Sequence, residues 1–259
     1  MLSTSFSIYH LEFFLLVFAR IAGVVSTAPI YGTRGVPIRV RVGFGLCIGL
    51  IVATTIGYTP LEYTTILQFT FLLIKELIVG LSVGLASTLC MSVLNLAGMF
   101  IDREIGLTMV TAFDPMTNAS TTISADLYNY MVLIIMLCSN MHHFIITAIC
   151  DSFQVIPVGG AIFDGDAVYA ILLAFIQEYF VVAFRIALPI FISITLCNVV
   201  LGVLAKTAPQ MNMFSVGIEL KLILGLLVMV ATIMVLPNIA DFLQQLTEDI
   251  VLSLLKTMY

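Results

Sequence analysis

Long apolar runs alternate along this chain with short polar breaks marked by proline or glycine, and that alternation predicts helices. The first run covers about Leu11 to Thr27, carries Arg20 in its middle, and ends at Ala28-Pro29, where the proline disfavours helix in the residue before it. A turn through Gly32 and Arg34 leads to Pro37, well placed to open a second run from Pro37 to Ile56. Arg39 and Arg41 lie in its first turn, and Gly45 and Gly49 stand four apart. Small residues at that spacing let helix backbones approach closely in lipid, where packing replaces the hydrophobic effect.

The third run, Ile66 to Ile101, contains no proline. As one helix it would reach about 50 Å, well beyond the ~30 Å hydrocarbon core of a bilayer. Gly80, Gly84 and Thr88 form a small-residue stripe along it, and Gly98 adds a further close-approach point. Lys75 and Glu76 sit inside the run, costly positions if they faced lipid. A helix too long for the bilayer, with charges inside it, fits burial within an assembly better than a simple span.

A central break, Ile101 to Asp126, divides the chain. Gly106, Asp114-Pro115 and the run Thr117 to Thr122 interrupt any helix. Yet Ile105, Leu107, Met109, Val110, Phe113 and Met116 make the break more apolar than an ordinary solvated turn. A loop this long in a compact protein is usually functional or disordered; the plain alternative is a helix connection with stray hydrophobes.

Leu127 to Ile149 is the fourth run, with Asn140, His142 and His143 inside it. Intramembrane histidines suggest a proton relay, whereas histidines near a helix end or bonded to a neighbouring helix are the commoner case. After a loop from Ser152 to Asp166 comes a fifth over-long run, Ala167 to Leu204, with Glu178, Arg185 and a kink expected at Pro189. Glu178 and Arg185 are two turns apart on one face, a spacing that a partner could link. Asn198, Gly202 and Lys206 recur every fourth residue. The polar connection Lys206 to Ser215 predicts a short turn, and Val216 to Leu236, with Glu219, Lys221 and Gly225, is the last apolar run. Beyond Pro237, Ile239, Leu243, Leu246, Ile250 and Leu254 define one face of an acidic amphipathic helix. Its acidity favours a protein surface over anionic lipid as the dock.

Composition settles the class. The 259 residues are 61% hydrophobic and only 10% charged, against about 25% charged in soluble proteins. A mean hydropathy of +1.16 points the same way, to an integral membrane protein. The formal charge of −5 and the absence of a long basic run argue against a nucleic-acid partner. Cys47, Cys90, Cys138, Cys150 and Cys197 are widely spaced in or beside apolar runs, so they read as small hydrophobes, not as a disulfide frame or metal site. With no basic n-region and no small-residue cleavage site, the first run is expected to be retained. Basic residues fall at alternate connections (Arg34, Arg39, Arg41, then Arg103, then Lys206 and Lys221), which the positive-inside rule turns into six spans with both termini outside.

Three function classes fit such a chain. A channel subunit needs helices that pack on partners. A secondary transporter would use Arg20, Lys75, Glu76 and Glu178 as an ion or substrate site, but should show an internal repeat, and none is visible. An intramembrane hydrolase would use Asp102, Asp114 or the histidines, but no carboxylate pair or nucleophile-base spacing supports it. No cofactor is implied.

The order of landmarks resembles one known family. Arg20, Ala28-Pro29, Gly32, Arg34, Pro37 and Arg39-Val40-Arg41 look like the opening of the FliR family, flagellar type III export-gate proteins with the SctT proteins of virulence injectisomes as relatives. Glu76, Gly80, Gly84, Ala97-Gly98, Ile101-Asp102, Gly106, Asp114-Pro115, His142-His143, Asp151-Ser152-Phe153 and Pro157 follow in family order. The closest likeness is Ala187-Leu188-Pro189, Asn198, Leu201-Gly202, then Ala208 through Gly217 with Lys221. Pro209-Gln210-Met211-Asn212-Met213-Phe214 favours the flagellar branch. Glu104, Glu219, Met109 and Ala112 depart from the usual family residues.

The resemblance implies an all-α subunit of long, kinked helices in hairpins. A FliP-like part, residues 1–163, would be joined to a FliQ-like hairpin, residues 164–259, with its tip at Ala208 to Ser215. It implies partners like FliP, FliQ and FlhB, unfolded export substrates, membrane lipid, and a place in the flagellar basal body at the bacterial inner membrane. In the family such helices build an assembly largely outside the bilayer plane, at odds with six simple spans. The stretch 106–122 corresponds to a loop that plugs the pore, here through Gly106, Met109, Val110, Phe113 and Met116. Arg20, Arg41, Glu76, Gly80, Gly84, Asn198, Gly202, Pro209, Gln210, Asn212 and Lys221 are the residues expected to serve packing and assembly.

Overall fold

Eight α-helices and one short 3₁₀ turn account for most of the described chain, and no strand occurs among the described residues. The computed structural model describes residues 8–32, 35–58, 63–108, 122–210 and 212–259. In chain order the helices are α1 (Ile8–Thr27), α2 (Ile38–Ile56), α3 (Ile66–Ile105), α4 (Ile123–Cys138), α5 (Met141–Val155), α6 (Gly165–Thr207), α7 (Met213–Thr232) and, after the turn Ile233–Val235, α8 (Leu236–Thr257). The fold is therefore all-α.

The two over-long runs are real helices. α3 has 40 residues and α6 has 43, which at 1.5 Å per residue makes them about 60 and 65 Å long. α6 continues through Pro189, whose carbonyl accepts a hydrogen bond from Ser193 Oγ at 2.8 Å. The fourth apolar run, in contrast, is not one helix. Asn140 adopts the left-handed conformation (φ 62°), and the run is divided there into α4 and α5. Asparagine tolerates that conformation better than most residues because its short amide can bond locally. Among the described residues, five helical stretches are long and apolar enough to cross a membrane, six if the bent α4–α5 pair counts as one span.

The helices group into two compact units. The first holds the described residues up to Cys90 with 140–175 and 245–259; the second holds 91–139 and 176–244. In the first unit Val17, Ile21 and Val24 of α1, Val79 and Val83 of α3, and Ile145 and Ile149 of α5 form one buried cluster with Val251, Leu254 and Leu255 of α8. The amphipathic tail thus docks on the chain's own core. Its buried stripe runs Leu236, Ala240, Leu243, Thr247, Val251 and Leu254, shifted from the expected Ile239, Leu246 and Ile250, which are only half-buried. Thr247 occupies the middle of that stripe, so a polar residue lies inside where periodicity favoured an isoleucine or leucine.

Glycines set the helix spacing, in two different ways. A Cβ on Gly23 of α1 would come within 2.8 Å of the Leu77 carbonyl, and one on Gly80 of α3 would overlap the Arg20 carbonyl oxygen. Gly84 lies equally tight against Thr27, and Thr88 Oγ1 donates to the Thr27 carbonyl. This is the close backbone approach expected of the stripe. On α2, however, a Cβ on Gly45 or Gly49 would meet the rings of Phe18 and Phe14 at 3.6 and 3.4 Å, ordinary van der Waals contact, so there the glycines face aromatic rings and not a backbone.

Gly80→Ala should destabilise the protein by about 1–3 kcal/mol, because the new methyl forces α1 and α3 apart. Gly202 of α6 has open space around it, so Gly202→Ala should be neutral or slightly stabilising in the isolated chain, as expected of Gly→Ala in a helix. Unfolding midpoints of the two variants in detergent would check the contrast; equal losses would refute it.

Candidate functional site

The first unit carries a charged knot at its centre. Arg20, 1% exposed, reaches from α1 to Glu76 of α3, 0% exposed, with Nε donating to Oε2 at 2.6 Å. Arg20 Nη1 donates to the carbonyls of Ser152 at 2.9 Å and Ile156 at 3.1 Å, and to Ser152 Oγ at 3.2 Å. Those carbonyls lie at the C-terminal end of α5, and that of Ser152 also accepts the Ile156 N–H at 2.8 Å, so Arg20 is its second donor. Glu76 Oε1 accepts the Gly159 N–H at 2.7 Å, from a residue at φ +81° where glycine is favoured. The Arg20 guanidinium also lies over the Phe153 ring, 4.1 Å from its centroid.

The knot ties three chain segments with one ion pair whose oxygens are both occupied. Arg20 Nη2 is buried with no hydrogen-bond partner among the described residues, so the knot fastens the three segments without satisfying every donor. Lys75, the neighbour of Glu76, is half-buried and takes no part. The sequence marked Arg20 and Glu76 but not Ser152, Ile156 or Gly159 as their partners; a helix end just before Pro157 is the signal that could have found them.

The second unit carries a polar seam between α3 and α4. Asp102, 2% exposed, accepts the Ser124 N–H at 3.3 Å and the Ser124 hydroxyl. A Cβ on Gly98 would overlap the Ala125 backbone, so the two helices touch there. One step further along, Asn129 Nδ2 donates to Asn95 Oδ1 at 2.6 Å. Tyr128 then shares a hydrogen bond of 2.9 Å with Thr232 of α7. Asp102 is thus held by Ser124 in a packing role, tying the end of α3 to the start of α4. His142 and His143 fall in the first turn of α5, their rings 4.3 Å apart, which is the helix-end placement.

The α6–α7 hairpin is the third feature. A Cβ on Gly217 would meet the Leu201 side chain at 3.5 Å, while Arg185 and Thr232 line one small cavity, so the helices run antiparallel. Their outer faces are apolar and exposed: Phe180, Phe184, Leu196 and Val199 on α6, Leu227 and Val230 on α7. An apolar surface of this extent marks a contact with lipid or protein. Asn198, Gly202, Pro209, Gln210 and Asn212 are exposed, and Lys221 is half-buried. Asn212 precedes α7 without a side-chain cap bond. Glu178 is half-buried and Arg185 exposed, and among the described residues neither makes an ion pair.

The family model for bacterial export proteins, family 1, matches residues 11–249. This chain belongs to that family. The flagellar biosynthetic protein FliR of Bacillus subtilis is 33% identical over 93% of this chain and 94% of its own length. The FliR of Escherichia coli is 28% identical over 89% and 87%. The surface presentation of antigens protein SpaR of Shigella flexneri is 30% identical over 88% of both chains. The chain is accordingly a multi-pass membrane protein of an export family and not an enzyme.

Family membership leaves the residue-level expectations to be weighed one by one. Arg20, Glu76, Gly80 and Gly84 meet in the first unit and act inside the chain. Arg41 is half-buried on α2. Gly106 ends α3 at φ +95°, its N–H bonded to the Asp102 carbonyl at 3.0 Å. Met109, Val110, Phe113 and Met116 lie outside the described residues. Among the described residues no His, Cys, Asp and Glu cluster could hold a metal ion, and the five cysteines are free, with Cys90 buried and Cys47 and Cys138 exposed.

Proposed function

We propose that this chain is a non-enzymatic core subunit of the flagellar type III protein export gate, in the bacterial inner membrane. The observation that carries the reading is the family match from residue 11 to 249, with relatives named FliR across nearly their whole length. In this reading residues 1–163 form the FliP-like part and 164–259 the FliQ-like hairpin. Its partners are FliP-like, FliQ-like and FlhB-like subunits, and its cargo is unfolded flagellar protein. The exposed apolar faces of α6 and α7 supply contact area for neighbouring subunits, with Asn198, Gly202, Pro209, Gln210, Asn212 and Lys221 at or near them. Residues 106–122 act as the channel plug, through Met109, Val110, Phe113 and Met116 beyond Gly106. The similarity to SpaR favours a second reading, the same role in a virulence injectisome.

Extraction of the tagged chain in mild detergent, followed by mass spectrometry of what accompanies it, tests the proposal. Co-purification with several other small apolar export subunits is expected, and flagellar or injectisome partners decide between the branches. A stable, monodisperse monomer with full helicity would overturn the assembly reading.

A further inference from the structure

We propose that α6 carries a docking seam for one apolar helix of a neighbouring subunit, a helix bearing a base and an acid two turns apart that pair with Glu178 and Arg185. The inference deepens the subunit reading above and rests on it. Glu178, Val181, Arg185, Leu188 and Ile192 follow one another along α6 at alternating steps of three and four. That is the repeat by which one helix packs lengthwise on another. Glu178 is half-buried and the other four are exposed, Val181 at 51% and Ile192 at 49%.

The opposite side of α6 is already occupied. Val182, Ile186, Ile190 and Ile194 are buried, and the Tyr179 hydroxyl donates to the Ser92 carbonyl of α3 at 3.2 Å. The seam is thus turned away from the interior of the second unit. Along it, Phe180, Val181, Phe184, Arg185 and Leu188 line a groove of about 490 Å³ with Phe100 of α3. The Phe184 ring meets Phe100 edge-on at 6.2 Å and Phe191 at 5.8 Å, so the aromatic wall is set before anything enters.

Charge decides what the groove takes. Among the described residues neither Glu178 nor Arg185 makes an ion pair. Two turns of helix, about 10 Å, separate them, beyond the three- or four-residue spacing at which side chains on one helix meet. Left facing lipid, each charge is costly on an apolar helix. An anionic phospholipid would satisfy Arg185 but repel Glu178. A helix carrying both signs at the matching spacing satisfies both, with its base opposite Glu178 and its acid opposite Arg185. Charges inside such a seam also fix the register, since a slip of one turn leaves both unpaired.

The test measures the assembled fraction of the full chain after mild detergent extraction. Glu178→Arg and Arg185→Glu should each lower it roughly tenfold, with the abundance and helicity of the chain unchanged. Glu178→Gln and Arg185→Gln remove attraction without adding repulsion and should lower it less. The double reversal should assemble no better than either single one, because both partner charges then face their own sign. Recovery in the double reversal would show that the two residues serve each other, and would overturn the inference. Loss in Arg185→Glu with none in Glu178→Arg would assign the groove to an anionic lipid and overturn it too. Should the reversals fail to fold, the two glutamine variants decide, and normal assembly in both sinks the seam. A photo-reactive amino acid at Val181 then identifies the seated helix. Its crosslinked peptide should carry the base and acid two turns apart, and reversing that pair should restore assembly of the double-reversal chain. A crosslink to lipid, or to a peptide without the pair, counts against the proposal. A wild-type chain that purifies alone would instead overturn the subunit reading itself.

Discussion

Arg20→Ala will destabilise the first unit by about 3–5 kcal/mol, the usual cost of removing one partner from a buried ion pair. The change strands the Glu76 carboxylate in the buried core, removes the Arg20 donor from the Ile156 carbonyl and takes the second donor from the Ser152 carbonyl at the end of α5. It also removes the cation over Phe153. Glu76→Ala should lie in the same range, because it leaves the guanidinium without a counter-charge and frees the Gly159 N–H. Arg20→Lys should not rescue, since one ammonium cannot cover the fork's spread of acceptors or stack on the ring. An apolar pair, Arg20→Met with Glu76→Leu, should recover part of the loss, as buried ion pairs often can be replaced. Denaturation in detergent and the assembled fraction in membranes would measure this. A single variant of normal stability would show that the knot is dispensable.

Deleting residues 106–122 will leave the helices and the assembly intact and make the membrane leaky. The stem bonds, Asp102 to Ser124 and Asn95 to Asn129, lie outside the deletion, so α3 and α4 keep their pairing. The sequence places Met109, Val110, Phe113 and Met116 together in the break, and an apolar constriction excludes water by dewetting. Replacing Met109, Val110 and Phe113 with alanine should leak less than the deletion, because the segment still fills space. Conductance, or sensitivity of cells to small solutes at equal complex abundance, is the measurement. An assembled deletion complex that remains tight would reduce 106–122 to a connector.

Both predictions depend on residues that the sequence marked for different reasons, and the difference is instructive. Arg20 and Glu76 stood out because a charge in an apolar helix needs a partner, a rule that names the residue but not the mate. The mate lies 56 residues away, and the carbonyls that complete the site lie 132 and 136 away. Backbone carbonyls carry no side-chain signature, and only the helix end before Pro157 hints at them. Asp102 was visible as a possible acid and as a family landmark, but nothing local says that its acceptor oxygens would cap a helix starting after a long break.

By itself, the sequence determined the all-α class, the over-long third and fifth helices, the α6–α7 turn and the glycine stripe on α3. Each follows from local rules: hydrophobic period, proline and glycine chemistry, and small residues at helical spacing. Only the tertiary structure decided that the fourth run breaks at Asn140, that α8 folds back onto the chain's own core with Thr247 inside, and that Gly45 and Gly49 hold rings and not a backbone. The physical reason is common to all three. Which face of a helix is buried, and against what, is set by the neighbours that arrive from distant parts of the chain, and periodicity describes a helix without naming its neighbours.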